Sequence, residues 1–253
     1  WPNVTLIREP IKFLPSDGLK NLTIPDSGSE EDHLRTNQAV EVVSQGVSIT
    51  GAAAWHSSGF NGSGVKVAVI DGGFEGYSAL LGAELPSTVQ IYTQGNTTKF
   101  NSGEHGTACA EIIHDVAPGA ALYLVRSETN VEWGAAVDWC KARGVKVISC
   151  SMGMHVGPHD GTGMANDIVN DAIDHGITLI VAAGNDAQSH WSGNFLDNDG
   201  NKIHDFTPAD EVNAIIGSNL GNPIGVYMTW NDPWGYSSND YDLLIARLNP
   251  LSI

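Results

Sequence analysis

Three residues in this chain have the side chains that hydrolysis of an acyl bond by a hydroxyl nucleophile requires, each in a short and distinctive setting. Asp71 follows an apolar run in Val67-Ala68-Val69-Ile70-Asp71-Gly72-Gly73. His105 opens His105-Gly106-Thr107-Ala108-Cys109-Ala110, and Asn185 ends Val181-Ala182-Ala183-Gly184-Asn185. The chemistry needs an imidazole to take the hydroxyl proton and a carboxylate to hold that imidazole in one tautomer. It also needs a donor for the oxyanion. Taken singly, each residue has a plainer account: a turn-forming Asp after a strand, a structural His, an Asn in a left-handed turn. In this order and these settings, chance does not explain the set.

The three blocks resemble the Asp, His and oxyanion-Asn blocks of the subtilisin-like serine peptidases (subtilases), and the resemblance covers roughly residues 50 to 186. Asp before His is the order of the subtilisin arrangement. The resemblance implies Asp71 as orienter, His105 as general base and then acid, and Asn185 as oxyanion donor. It places Ser151-Met152-Gly153 where the family pairs with the backbone of a polypeptide substrate, by strand addition; an ordinary strand-to-loop exit is the alternative. The Gly-Thr-Ser block that carries the family's nucleophile is absent. After Asn185 the serines are Ser189, Ser192, Ser218, Ser237, Ser238 and Ser252, none preceded by Gly-Thr. Two accounts follow. One is a secreted serine endopeptidase whose serine lies past Ile253, so that this chain alone is inactive. The other is a non-catalytic subtilase-fold module with a peptide-binding or structural role. The stretch Arg126-Ser127-Glu128-Thr129-Asn130 reads as shorter than the family's usual substrate-flanking loop. Cys109 falls one helical turn after His105, where some subtilases also carry a cysteine. It reads as a buried free thiol beneath the imidazole, or as one half of a disulfide to Cys140 or Cys150.

The elements that must position these residues are legible as a period. Val65 to Ile70, Ala121 to Val125, Val145 to Ser149 and Ile177 to Val181 are short apolar runs, hence buried strands. Between them Val131 to Ala142 reads as a helix, and Ala165, Ile168, Val169 and Ala172 follow helical spacing. Such alternation predicts an α/β fold: a subtilisin-like parallel sheet covered by helices on both faces, with reactive residues at the carboxyl ends of its strands. Ala39, Val42, Val43 and Val47 suggest a further helix, and Gly51 to Trp55 a second. Residues 1–35, rich in Pro, Asp, Ser and Glu, read as a linker or leader remnant. Residues 36–188 then form the α/β domain, and 189–253 a β-rich insertion or lobe with runs at Val212 to Ile216, Ile224 to Trp230 and Tyr241 to Leu248.

Composition narrows the partners. A net charge of −17 with only 12 Lys+Arg excludes nucleic acid and acidic membrane surfaces. No run of about 18 apolar residues exists to span a bilayer. The start at Trp1-Pro2-Asn3 and the strand-like run at the end suggest that both ends are cut. Sequons at Asn3, Asn21, Asn61 and Asn96 suit an exported protein, although such triplets are common by chance; a monomer is the expected state. The hydrolytic chemistry requires no cofactor. Asp197, Asp199, Asn201 and Asp205 offer hard oxygens for a structural Ca²⁺, but Gly200 is out of EF-hand register and an Asx-rich turn is the alternative. His114 reads as a helix C-terminal charge, and His155, His159 and His175 lack metal-ligand spacing.

Overall fold

The computed structural model describes residues 14–15, 42–155, 157–185, 189–214 and 225–245. Leu14–Pro15 form β1, a two-residue strand inside the stretch expected to be a linker. Gly46–Ile49 form α1 and Ala52–Ser57 form α2. The helix expected from Ala39 does not reach back through Val42 and Val43. There the Val42 and Ser44 N–H groups donate to the carboxylates of Glu84 and Asp115, at 2.8 and 2.7 Å, which replaces a helical ladder. Ala39 itself lies outside the described residues.

β2 (Lys66–Asp71) shows how the sheet sorts its side chains. Successive strand residues point to opposite faces, so Val67 and Val69 enter one core cluster while Ala68 and Ile70 enter another. The chain continues through α3 (Tyr77–Leu80), β3 (Gln90–Tyr92), α4 (Thr97–Phe100) and α5 (His105–Val116). Then come β4 (Ala121–Arg126), α6 (Asn130–Ala142), β5 (Val147–Cys150) and β6 (Met152–Gly153). α7 (Met164–Asp174) and β7 (Thr178–Val181) complete the set. Thr129 caps α6 by accepting the Glu132 N–H at 3.2 Å, which satisfies one of the first-turn donors.

Five strands pair in the order β3-β4-β2-β5-β7, all parallel. One face packs Trp133, Ala136, Val137 and Cys140 of α6 and Ala172 of α7 against Ala68, Ile70 and Ile148. The opposite face packs Phe74, Phe100 and Ala110 against Val67, Val69, Leu122 and Leu124. The expected α/β fold with helices on both faces is therefore present. β2 is the strand at which the order reverses, with β3 and β4 to one side and β5 and β7 to the other. Crevices open beyond the carboxyl end of a strand in that position. β7 departs from the expected buried strand: among the described residues it pairs only with β5, and Ile180 is 57% exposed.

Two compact units are present, Trp1–Gly184 with Asp232–Ser237, and Asn185–Asn231 with Ser238–Ile253. In the second unit the described residues form no strand, and only Thr207 and Asp210 make an isolated bridge. The expected β runs at Ile224 to Trp230 and Tyr241 to Leu248 are irregular where they are described. Residues 215–216, 224 and 246–248 lie outside the description. Side chains explain the change. Asp197 Oδ1 accepts from the Gly200 and Asn201 N–H groups, Asp197 Oδ2 from Lys202, and Asp210 Oδ1 from Val212. Short Asx side chains that take up backbone donors compete with sheet ladders. Apolar content gathers instead in ring contacts among Trp191, Phe195, His204 and Phe206, with Tyr241 touching both Phe195 and Trp230.

Candidate active site

Asp71 is the last residue of β2 and is only 2% exposed. Its backbone stays in the sheet, its carbonyl accepting the Ser127 N–H at 2.8 Å. Its side chain turns to the helix that follows. Oδ2 lies 2.7 Å from His105 Nδ1, and Oδ1 accepts the Gly72 N–H at 2.8 Å. An ionised carboxylate can only accept, so Nδ1 carries the proton and Nε2 is left as the basic nitrogen. Burial pushes the Asp71 carboxyl up. The charge and hydrogen bond of His105, with the backbone of Gly72 and Gly73, act against that rise without cancelling it.

Two glycines make the approach possible. His105 is the first residue of α5, so the helix start must come close to the end of β2. A Cβ on Gly106 would stand 2.5 Å from Gly73 O and 2.7 Å from both Asp71 Cβ and Phe74 Cε1. A Cβ on Gly73 would stand 1.7 Å from Ser102 O. The Gly106 N–H donates to Gly73 O at 3.2 Å, and the Thr107 hydroxyl to Glu75 O at 2.9 Å. Asp-Gly-Gly and His-Gly-Thr are thus two halves of one backbone contact.

Beneath the imidazole lies Cys109, its Sγ 4.0 Å from His105 Nδ1. All three cysteines are free thiols. Burial pushes Cys109 up, as does the Asp71 charge, while a hydrogen bond with the Ser151 side chain opposes the rise. Burial drives Cys140 and Cys150 to about 12. Among the described residues, Asp71, His105 and Cys109 are the one set of three His, Cys, Asp or Glu side chains whose ligand atoms all lie within 4.8 Å of one another. Asp197, Asp199 and Asp205 form no such group: Asp199 accepts from Asn201, and Asp205 Oδ2 accepts from Asn198 at 2.6 Å. Their oxygens are engaged as in an Asx-rich turn.

Ser151, Met152 and Gly153 leave β5 beside this cluster, and Met152–Gly153 already pairs antiparallel with β1. Leu14 stands opposite Gly153, and Pro15 opposite Met152. The edge that was expected to add a strand is adding one from its own chain. Between β4 and α6 the chain has only Ser127, Glu128 and Thr129. The 1% exposed Arg126 braces this short loop, with Nη2 2.8 Å from Glu128 Oε2 and Nη1 3.1 Å from Glu132 Oε1. Burial works against ionised Glu128, but Lys99 and Arg126 outweigh it and hold the carboxyl below its usual value. Asn185 is exposed and opens the second compact unit. Its candidacy rests on its sequence context. The arginine brace and the pairing with β1 escaped sequence reasoning, for want of any local pattern; the doubled glycines were the available sign of the close approach.

The subtilase family model, peptidase S8, matches residues 62–226, about two thirds of the chain. The chain belongs to the subtilase family. Subtilisin E of Bacillus subtilis is 32% identical over 180 residues, covering 63% of this subtilase chain and 44% of its own length. The minor extracellular protease Epr of Bacillus subtilis is 28% identical over 211 residues, 78% of this chain and 30% of Epr. The chain thus spans under half the length of either relative. Among solved structures, fervidolysin of Fervidobacterium pennivorans matches 51% of this chain and 22% of its own at 21% identity, with a TM-score of 0.41. Among the described residues of this subtilase, no helix is long and apolar enough to cross a membrane.

Proposed function

We propose that this chain is the acid–base and substrate-edge part of a secreted, monomeric serine endopeptidase of the subtilisin type. The observation that carries the reading is the 2.7 Å hydrogen bond from His105 Nδ1 to the buried Asp71 carboxylate. With Nδ1 held by Asp71, Nε2 is the nitrogen that takes the proton of a serine hydroxyl as the oxygen attacks a peptide carbonyl. It then returns that proton to the leaving amine. Asp71 stays ionised and stabilises the imidazolium. The Asn185 side-chain amide donates to the oxyanion. The Met152–Gly153 edge holds the polypeptide substrate by main-chain pairing, and pockets set the choice of side chain.

The nucleophile is a serine these 253 residues do not contain, because no Gly-Thr-Ser occurs in them. The chain alone therefore hydrolyses no peptide and takes no label from a fluorophosphonate probe. A protein that also carries a Gly-Thr-Ser block takes one label, and His105→Ala abolishes it. If a natural longer form lacks such a block, the reading gives way to a peptide-binding module. No cofactor enters the chemistry. A structural Ca²⁺ at Asp197, Asp199, Asn201 and Asp205 would have to displace the N–H donors now on those oxygens, and a calcium-dependent rise in Tm would reveal it.

A further inference from the structure

We propose that Glu128 makes the cleft selective for a basic side chain, arginine before lysine, on the amino side of the bond to be cut. β4 and β5 flank β2, with Asp71 in register with Arg126 and Ile70 with Cys150. They therefore stand two strand spacings apart, about 9.6 Å. β2 ends at Asp71, and past that point the chain after β4, Ser127 to Thr129, and the Met152–Gly153 edge flank the place it vacates. One extended chain fills a gap of that width. The β1 ladder gives its polarity: Leu14 pairs with Gly153 and Pro15 with Met152, so a chain so oriented runs toward Ser151. A substrate laid the same way brings its amino-side residues between the two walls.

Of the three residues in the wall after β4, Glu128 alone offers a charge. Ser127 is fully buried, with its N–H given to Asp71 O at 2.8 Å, and the Thr129 hydroxyl caps α6. The Glu128 side chain is 29% exposed. Burial opposes its charge, but the hydrogen bonds and charges of Lys99 and Arg126 outweigh that and hold it ionised. Arg126 is already matched by Glu132, whose Oε1 lies 3.1 Å from Nη1 and whose Oε2 accepts the Glu128 N–H at 2.7 Å. Lys99 reaches Glu128 from α4 with half of its own side chain in solvent. A lysine so exposed contributes little by its ion pair and exchanges readily. Lys99 thus stands where a substrate cation would. An incoming guanidinium displaces it because it can meet the carboxylate through two parallel N–H groups. The net charge of −17 adds long-range attraction for cationic chains. The inference rests on the reading of Met152–Gly153 as the substrate edge and names the class of substrate that edge takes.

The test measures binding of fluorescein-labelled peptides to the 253-residue chain by anisotropy. The peptides share one neutral sequence and carry arginine, lysine or norleucine at each position in turn. At the best position arginine should bind about three- to tenfold more tightly than norleucine, with lysine between, and the ratio should fall as salt rises. β1 competes with every peptide alike, so these ratios are insensitive to it. Glu128→Gln, which keeps the side chain's size, should bring the ratio to about one. Lys99→Met removes the resident cation and should raise it; this variant carries the test if Glu128→Gln loses its far-ultraviolet circular dichroism. Peptides that bind without preference, a preference that survives Glu128→Gln, or a ratio lowered by Lys99→Met each overturn the role of Glu128 and leave the substrate edge standing. If no peptide binds, the edge itself falls, and this inference with it.

Discussion

Gly106 and Gly134 both lie inside helices, and alanine at each should move stability in opposite directions. Glycine inside a helix costs about 1 kcal/mol relative to alanine, so Gly→Ala is favourable where there is room. On α6, a Cβ at Gly134 meets only the Ile168 side chain, with Cδ1 at 3.4 Å and Cγ1 at 3.8 Å, both ordinary contacts. Gly134→Ala should therefore stabilise by about 0.5–1 kcal/mol. On α5, a Cβ at Gly106 meets Gly73 O at 2.5 Å, Asp71 Cβ at 2.7 Å and Phe74 Cε1 at 2.7 Å. One neighbour is a backbone atom, and the other two belong to buried side chains, so the helix must move. Overpacking costs about 1–3 kcal/mol, here at the upper end; less the helical gain, about 2 kcal/mol of destabilisation remains. At about 2–4 °C per kcal/mol for a chain of this size, Tm should fall by about 4–8 °C for Gly106→Ala and rise by about 2 °C for Gly134→Ala. Thermal unfolding followed by far-ultraviolet circular dichroism measures both. A change of the same sign in the two variants would refute the close-approach argument.

The pH dependence of Asp71 follows from its raised pKa, because the folded state holds the proton more tightly than the unfolded one. Its effect on stability is favourable below the unfolded carboxyl pKa and is lost as pH rises through the folded one. Asp71→Asn should thus gain stability over the parent at neutral pH, and the gain should shrink on acidification; denaturant midpoints across pH 3–7 would read it. In a protein that includes the Gly-Thr-Ser block, His105→Ala and Asp71→Asn should each lower kcat by about 10⁴-fold or more. Asn185→Ala should lower it by about 10²–10³-fold, and a drop of only a few fold would remove Asn185 from the oxyanion role. Thiol titration of the unfolded, unreduced chain should find three free thiols; a bridged peptide containing Cys109 would contradict that structure.

Much of the fold was legible because its main signals are local. The run from Val67 to Ile70 announces a strand buried on both faces, and the residue after it falls at a strand's carboxyl end. The spacing of Ala165, Ile168, Val169 and Ala172 announces a helix. The second unit was misread because β-branched and aromatic residues there sit among Asp and Asn side chains. Hydrogen bonds such as Asp197 Oδ1 to Gly200 N, at 2.7 Å, prevail over strand propensity. β7 was misjudged for another reason: an apolar run specifies a strand, but how far it is covered depends on which strands pair beyond it. The pairing of Asp71 with His105 was implied by motif wording, not by any periodicity. The Arg126 brace had no such wording to reveal it.

The ladder between β1 and β6 has a consequence in mass-action terms. A peptide that adds to Met152–Gly153 meets a competitor tied to the same molecule, one that dilution does not remove. Its apparent dissociation constant is the intrinsic one multiplied by one plus the closing constant of the Leu14–Pro15 pairing. That closing constant combines the tether's effective concentration with the strength of two residue pairs. Pro15 contributes no N–H to them, so the ladder is short of a donor. Substitutions at positions 14 and 15, remote in sequence from every residue at the edge, should therefore rescale affinity for all peptides by one common factor and leave their ranking unchanged.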